Sequence, residues 1–259
     1  MAGSQPRQAL TGLKPTPSGD ALYRVLGHSA RVLYHCLMGL KIEGIEKLPR
    51  DRGYLVVSNH LSEVDPITIA YPVFLTGTLP RFLAKESLFR APVIGWILRK
   101  LAHIPVARGS IDARKSLETA QNVLESGGAV VIYPEGTLSE DPQGWMIAAR
   151  TGAARLAFAT GVPVYPIAHW GDQEFLSPTG KFRPFPRKKV QVKIGDPIDF
   201  SDLQGSSPAA APTREDLTTA TERMVSAITA LLEDIRGEKE PEGRWNPITR
   251  RRELPGEKH

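Results

Sequence analysis

A chain of 259 residues with 41% hydrophobic content can bury one sizeable core, and its single cysteine, Cys36, excludes an intramolecular disulfide and any cysteine-rich metal site. The net charge of +5 and pI near 9.3 favour a membrane surface or anionic substrates; no nucleic-acid-binding motif accompanies the charge. No run reaches the ~18–20 apolar residues that cross a bilayer, and the first residues lack a signal peptide's apolar segment, so no membrane-spanning protein is expected.

In chain order, residues 1–19 read as a Pro- and Gly-rich flexible leader. Residues 20–41 follow as an amphipathic helix: Arg24, His28, Arg31 and His35 form one polar stripe, opposite Leu22, Val25, Leu26, Ser29, Leu33, Cys36, Leu37 and Leu40. A broad apolar arc with basic edges suits either an anionic lipid surface or packing against the chain's own core. The run Tyr54-Leu55-Val56-Val57-Ser58 reads as a buried strand, and Asn59-His60-Leu61-Ser62-Glu63-Val64-Asp65-Pro66 leaves it. Imidazole, with an ordinary pKa of about 6.5, takes a hydroxyl proton near neutral pH, and a carboxylate five residues on can fix its tautomer. The same residues also read as a helix start, with Asp65 as N-cap and Pro66 first in the helix; the two readings are compatible.

Further short apolar strands are expected near 81–84, which precedes Lys85, and near 103–106, which precedes Arg108. Trp96 between them is suited to an acyl channel, an interface or the core. Residues 110–126 read as a helix ending at Gly127-Gly128, and 129–133 as a strand leaving through Pro134-Glu135-Gly136-Thr137. Glu135 there suits either a substrate hydroxyl or backbone amides. Arg150 opens a helix-like segment, 163–169 and 190–195 read as strands, and Trp170-Gly171 borders the cleft or makes a turn. After a linker at 204–212, the spacing Thr213-X-X-Asp216 predicts a capped helix over 213–236. Its tail, 237–259, is polar and flexible; Arg250-Arg251-Arg252 is a solvated run or a headgroup contact. Helices separating short strands make an α/β domain over 20–236, with 54–200 its core: a mixed, mainly parallel central sheet flanked by helices. His60, Arg108 and Glu135 are expected at one edge of it, where strand exits gather.

Asn59-His60-X4-Asp65 and Tyr133-Pro134-Glu135-Gly136-Thr137, with His103-Ile104-Pro105-Val106-Ala107-Arg108 between them and Gly161-Val162-Pro163-Val164-Tyr165-Pro166-Ile167-Ala168 after them, resemble in order the blocks of the glycerolipid acyltransferase family, particularly bacterial lysophosphatidic acid acyltransferases. Tyr133 stands where the family has phenylalanine. The resemblance implies that His60 is the general base and Asp65 its orienting partner. It further implies that Glu135, Gly136 and Thr137 belong to the acceptor site and that Arg108 binds phosphate. Many relatives have arginine where this chain has Leu138; Lys85, then Arg150, are the replacement cations. The implied reaction moves an acyl group from acyl-CoA or acyl-carrier protein to lysophosphatidic acid, with no metal and no cofactor, by a protein resting peripherally on the cytoplasmic face of the membrane. Another acceptor, such as glycerol 3-phosphate, a different lysophospholipid or a glycolipid, and a catalytically silent lipid- or CoA-binding module, are the alternatives.

Overall fold

The strands alternate their side chains between two apolar layers, and that alternation sets the architecture. A computed structural model describes residues 17–106, 112–203 and 211–254. Its strands are β1 (Met38–Glu43), β2 (Tyr54–Ser58), β3 (Pro80–Lys85), β4 (Ile104–Val106), β5 (Ala129–Ile132), β6 (Val164–Trp170) and β7 (Lys188–Ile194). They form one seven-stranded sheet in the order β1-β7-β6-β2-β5-β3-β4, in which only the β6–β7 pair is antiparallel. This is the α/β fold with a mostly parallel sheet that the segmentation predicts.

Helices α1 (Pro17–Leu37), α2 (Asp65–Leu75), α3 (Pro92–Lys100), α4 (Asp112–Glu125), α5 (Gly152–Thr160), α6 (Asp172–Phe175) and α7 (Arg214–Arg236) complete it. Leu55, Val57, Val130, Ile132 and Val164 face α4, α5 and α7, while Tyr54, Val56, Val131 and Ile167 face the α1–α2 side. Thr213 and Asp216 close a reciprocal capping box at the start of α7. Leu217, Ala220, Met224, Val225, Ile228 and Leu232 line its buried face.

Three segments differ from expectation. Helix α1 stops at Leu37, and residues expected to continue it form β1, paired in register with β7; Gly39 is a poor helix former, and a waiting sheet edge outweighs local propensity. Helix α1 is anchored by Tyr23 and Tyr34, eleven residues and three turns apart, which the stripe and the arc both omit. The Tyr23 hydroxyl donates to the Pro80 carbonyl (2.9 Å). A tyrosine can be buried with its polar tip satisfied, so an aliphatic count overlooks it. Val25 and Val32 are exposed instead; the side chains of Leu26, Arg31, Leu33, His35 and Cys36 lie outside the described set.

Third, the tail carries a hairpin, β8 (Arg244–Asn246) against β9 (Arg251–Glu253). Arg252 pairs with Asp141, and Arg244 with Glu222 on α7 (2.7 Å). Ion pairs rather than an apolar repeat hold it, so no hydrophobic pattern announces it. Residues 1–16, 204–210 and 255–259 of the expected leader, linker and tail lie outside the described residues.

Candidate active site

The carboxyl ends of β2, β5 and β6 meet at one edge of the sheet, and the site is built there. Asn59 ties two of these ends together: its amide donates to the His169 carbonyl (2.9 Å) and accepts from the His169 amide (3.0 Å). The next residue, His60, turns toward the cleft with its side chain 16% exposed. Its Nδ1 lies 3.1 Å from Oδ2 of Asp65, in the first turn of α2. The same oxygen accepts from the amides of Leu61 and Ser62, the latter at 2.8 Å. The carboxylate thus orients the imidazole and accepts from amides ahead of the helix, but it is not the N-cap expected from the sequence: Val64 holds that position and no side chain caps α2. Helix α2 begins at Asp65 itself, one residue earlier than expected. With Nδ1 donating to Asp65, Nε2 is the basic atom.

No motif singles out His169, yet it lies beneath this pair and is fully buried. Its Nδ1 is 2.7 Å from Asp172, and its Nε2 is 3.0 Å from the Asn59 carbonyl and 3.3 Å from Asp65. These neighbours are all acceptors, so both ring nitrogens carry protons and His169 is an imidazolium. Burial alone would lower its pKa; the carboxylates of Asp65 and Asp172 reverse this and raise it well above the usual range. Conversely, burial would raise the Asp65 carboxyl, but His169 and His60 hold it below the ordinary value. Asp172 also accepts from Tyr34 (2.9 Å) and Thr68 (2.7 Å), which carries the network into α1 and α2. Asp65, His169 and Asp172 converge closely enough to suggest a metal site. With a proton on each nitrogen, however, His169 offers no lone pair to a metal. The one sequence signal for His169 is a histidine two residues beyond Ile167, on the same strand face.

The opposite wall comes from β5. Tyr133 stacks on His60, with ring centroids 4.1 Å apart and planes 11° apart. Its hydroxyl has no hydrogen-bond partner among the described residues. The chain then turns through Gly136, whose φ of 71° favours glycine and where a Cβ would sit only 3.2 Å from the Arg150 side chain.

Glu135, expected at the acceptor, is instead only 3% exposed and lies behind the cleft wall. One carboxyl oxygen accepts from the His60 amide (3.4 Å) and the other from the Ile147 amide (3.1 Å). It holds the two loops of the site together, the amide-binding option read from its sequence position. Burial pushes its carboxyl up to about 8, against the lowering by those amides. A carboxyl raised in the fold contributes stability that is full below its unfolded pKa of about 4.5 and is lost as pH climbs toward 8. Glu135→Gln does not titrate. Denaturant unfolding should therefore show the variant gaining on the parent as pH rises from about 5 to about 8.5, by at most about 1.4 kcal/mol per unit. A pH-independent difference would place the carboxyl in its usual range.

A cavity of about 1230 Å³ opens beside His60. Lys85, Gly136, Thr137 and Arg150 are among its lining residues, and Phe74, Leu83, Ile97, Leu98 and Leu101 contribute apolar lining. Lys85, the last residue of β3, and Arg150, just ahead of α5, are exposed cations. Arg108 lies outside the described residues. Trp96 is 49% exposed and does not line the cavity, although Ile94 and Ile97 do. Trp170 joins Trp145 in enclosing the Arg236 guanidinium, at 4.0 and 3.8 Å, and so braces the loop after β5 against α7.

Comparison with known proteins gives one consistent group. The family described as Acyltransferase matches residues 39–170. The 1-acyl-sn-glycerol-3-phosphate acyltransferase of Bacillus subtilis is 29% identical over 214 residues, covering 81% of this chain and 96% of that protein. A chloroplastic 1-acyl-sn-glycerol-3-phosphate acyltransferase of Arabidopsis thaliana is 34% identical over 166 residues, 62% of this chain but 44% of the plant protein. The crystal structure of the 1-acyl-sn-glycerophosphate acyltransferase PlsC from Thermotoga maritima superposes with a TM-score of 0.62 at 26% identity, covering 86% of this chain and 83% of that one.

Proposed function

We propose, from the premise that this chain belongs to the acyltransferase family, that it acylates lysophosphatidic acid to phosphatidic acid, using acyl-CoA or acyl-carrier protein as donor. The observation that carries this reading is the His60–Asp65 pair, 3.1 Å apart, at a cavity that combines an apolar stretch with the cations Lys85 and Arg150. An acyl chain suits the first and a phosphate the second. The names of the Bacillus and Thermotoga relatives support the same acceptor.

In the proposed reaction Nε2 of His60 takes the proton from the acceptor's free hydroxyl as its oxygen attacks the thioester carbonyl. Asp65 stabilises the imidazolium that forms. When the tetrahedral intermediate collapses, the C–S bond breaks and the thiolate recovers the proton from His60. The products are the ester and a free thiol, with no acyl-enzyme. The base supplies about 10²–10⁴-fold, and proximity and oxyanion stabilisation supply the rest. A lipid acceptor suits a protein resting on the cytoplasmic face of the membrane. No helix among the described residues is long and apolar enough to cross a membrane.

Thiol release from acyl-CoA and from acyl-carrier protein, with and without lysophosphatidic acid, tests the proposal. Release should require lysophosphatidic acid. Release only with glycerol 3-phosphate or another lysolipid would reassign the acceptor, and none with any acceptor would leave a binding module. Arg150→Ala should raise the KM for lysophosphatidic acid about tenfold or more with turnover little changed, since a charged contact to phosphate is worth about 1.5–3 kcal/mol. An unchanged KM would take Arg150 out of the phosphate site.

A further inference from the structure

We propose that the connection from α6 to β7 together with the first two residues of β7, residues 176–189, is a second membrane-contact element that docks on anionic lipid beside the cleft. It rests on the peripheral-membrane reading above and names a surface for it other than α1. Between Glu174 and Asp196 the sequence has no acidic residue, and the segment carries Lys181, Arg183, Arg187, Lys188 and Lys189, as many cations as the net charge of +5 of the whole chain. Lys181, Arg183, Lys188 and Lys189 form no ion pair among the described residues. Among them project Phe182, 61% exposed, and Phe185, 81% exposed. Projecting phenylalanines can bury apolar area at the headgroup–acyl boundary, and nearby cations are drawn to acidic headgroups.

The segment is built to present these groups. Leu176 bridges Phe182, the Arg183 amide donates to the Phe175 carbonyl (2.8 Å), and the Phe175 and Phe182 rings meet edge to face at 5.0 Å. It is also fastened to the active site: the Ser62 hydroxyl donates to the Leu176 carbonyl (2.6 Å), and Ser62 holds Asp65 through its amide. Because β6 runs antiparallel to β7, their connection leaves the sheet at the edge that carries His60.

The connection from β3 to β4 leaves the same edge on the other side of β2 and β5. It too exposes apolar side chains: Val93 at 69%, Ile94 at 52% and Trp96 at 49%. Two apolar footings thus flank the cleft, one of them strongly basic. A flat anionic bilayer matches both together. An acidic protein would engage the cations but leave the projecting phenylalanines without a role.

Flotation with phosphatidylcholine vesicles, with and without phosphatidylglycerol, tests this on the full chain. The parent should bind the anionic vesicles, less tightly as salt rises. Phe182→Ser/Phe185→Ser and Lys181→Glu/Arg183→Glu should each bind about tenfold more weakly or worse. Both should keep their circular dichroism and their thiol release with a short-chain acceptor in true solution. Parent binding with both variants equally tight overturns the assignment of this segment while leaving the membrane reading intact. A parent that binds no vesicle overturns both. Variants that bind vesicles normally but lose activity only with acyl-carrier protein as donor would make the segment a protein-docking site, which also overturns the proposal.

Discussion

His60→Ala should lower turnover by about 10²–10⁴-fold while leaving the KM values and the fold nearly unchanged. The expectation comes from what surrounds the imidazole. Its Nδ1 is committed to Asp65 and its ring is stacked on Tyr133, so one nitrogen is left for proton transfer. The neighbours do not depend on it for satisfaction: Asp65 keeps the Leu61 and Ser62 amides and the His169 imidazolium after truncation. Loss of the stacked ring is a modest packing change for a side chain already 16% exposed. Steady-state kinetics with lysophosphatidic acid, together with thermal unfolding, separate the two effects. A residual turnover within tenfold of the parent would remove His60 as the base.

The largest effect on stability is expected at His169. Glutamine there removes a cation that stands between two buried carboxylates, Asp65 and Asp172, and leaves both without it. Breaking one side of a buried pair costs about 3–5 kcal/mol. The pH dependence has a definite sign. His169 has a raised pKa in the fold, so its contribution is complete below about 6.5 and is lost only as pH rises through that raised value. Asp65 has a lowered pKa, so its contribution is present above about 3.8 and disappears as pH falls through the depressed value. In His169→Gln the uncompensated carboxylates can be relieved by taking up protons. The gap to the parent should therefore be wide near pH 8 and narrow in acid. Denaturant unfolding across that range measures it. A cost below about 1 kcal/mol at pH 8 would mean that His169 carries no charge.

The parts of the site legible in the chain were those whose chemistry is local. His60 and Asp65 lie five residues apart, across a strand exit and the start of α2, so their approach follows from spacing alone, whereas the N-cap role expected of Asp65 does not form. The strand exits could be read because buried parallel strands are short apolar runs with abrupt polar ends. What stayed hidden were partners distant in sequence. His169 acts on Asp65 across about a hundred positions, and Tyr34 reaches Asp172 across 138. Glu135 is a case between these: its position at a strand exit was readable, but its direction was not. A carboxylate beside glycine can face substrate or backbone amides, and the approach of the Ile147 amide decides it.

Local order in the chain carries the fold class and the placement of His60 and Asp65 together at a strand exit, because hydrophobic periodicity and a five-residue spacing are properties of neighbouring residues. The anchoring of α1 by two tyrosines, the hairpin in the tail and the protonated histidine beneath Asp65 emerge from packing in three dimensions. These depend on which strand lies beside which, and on the desolvation that makes a buried charge seek its counter-charge, neither of which is written in local order.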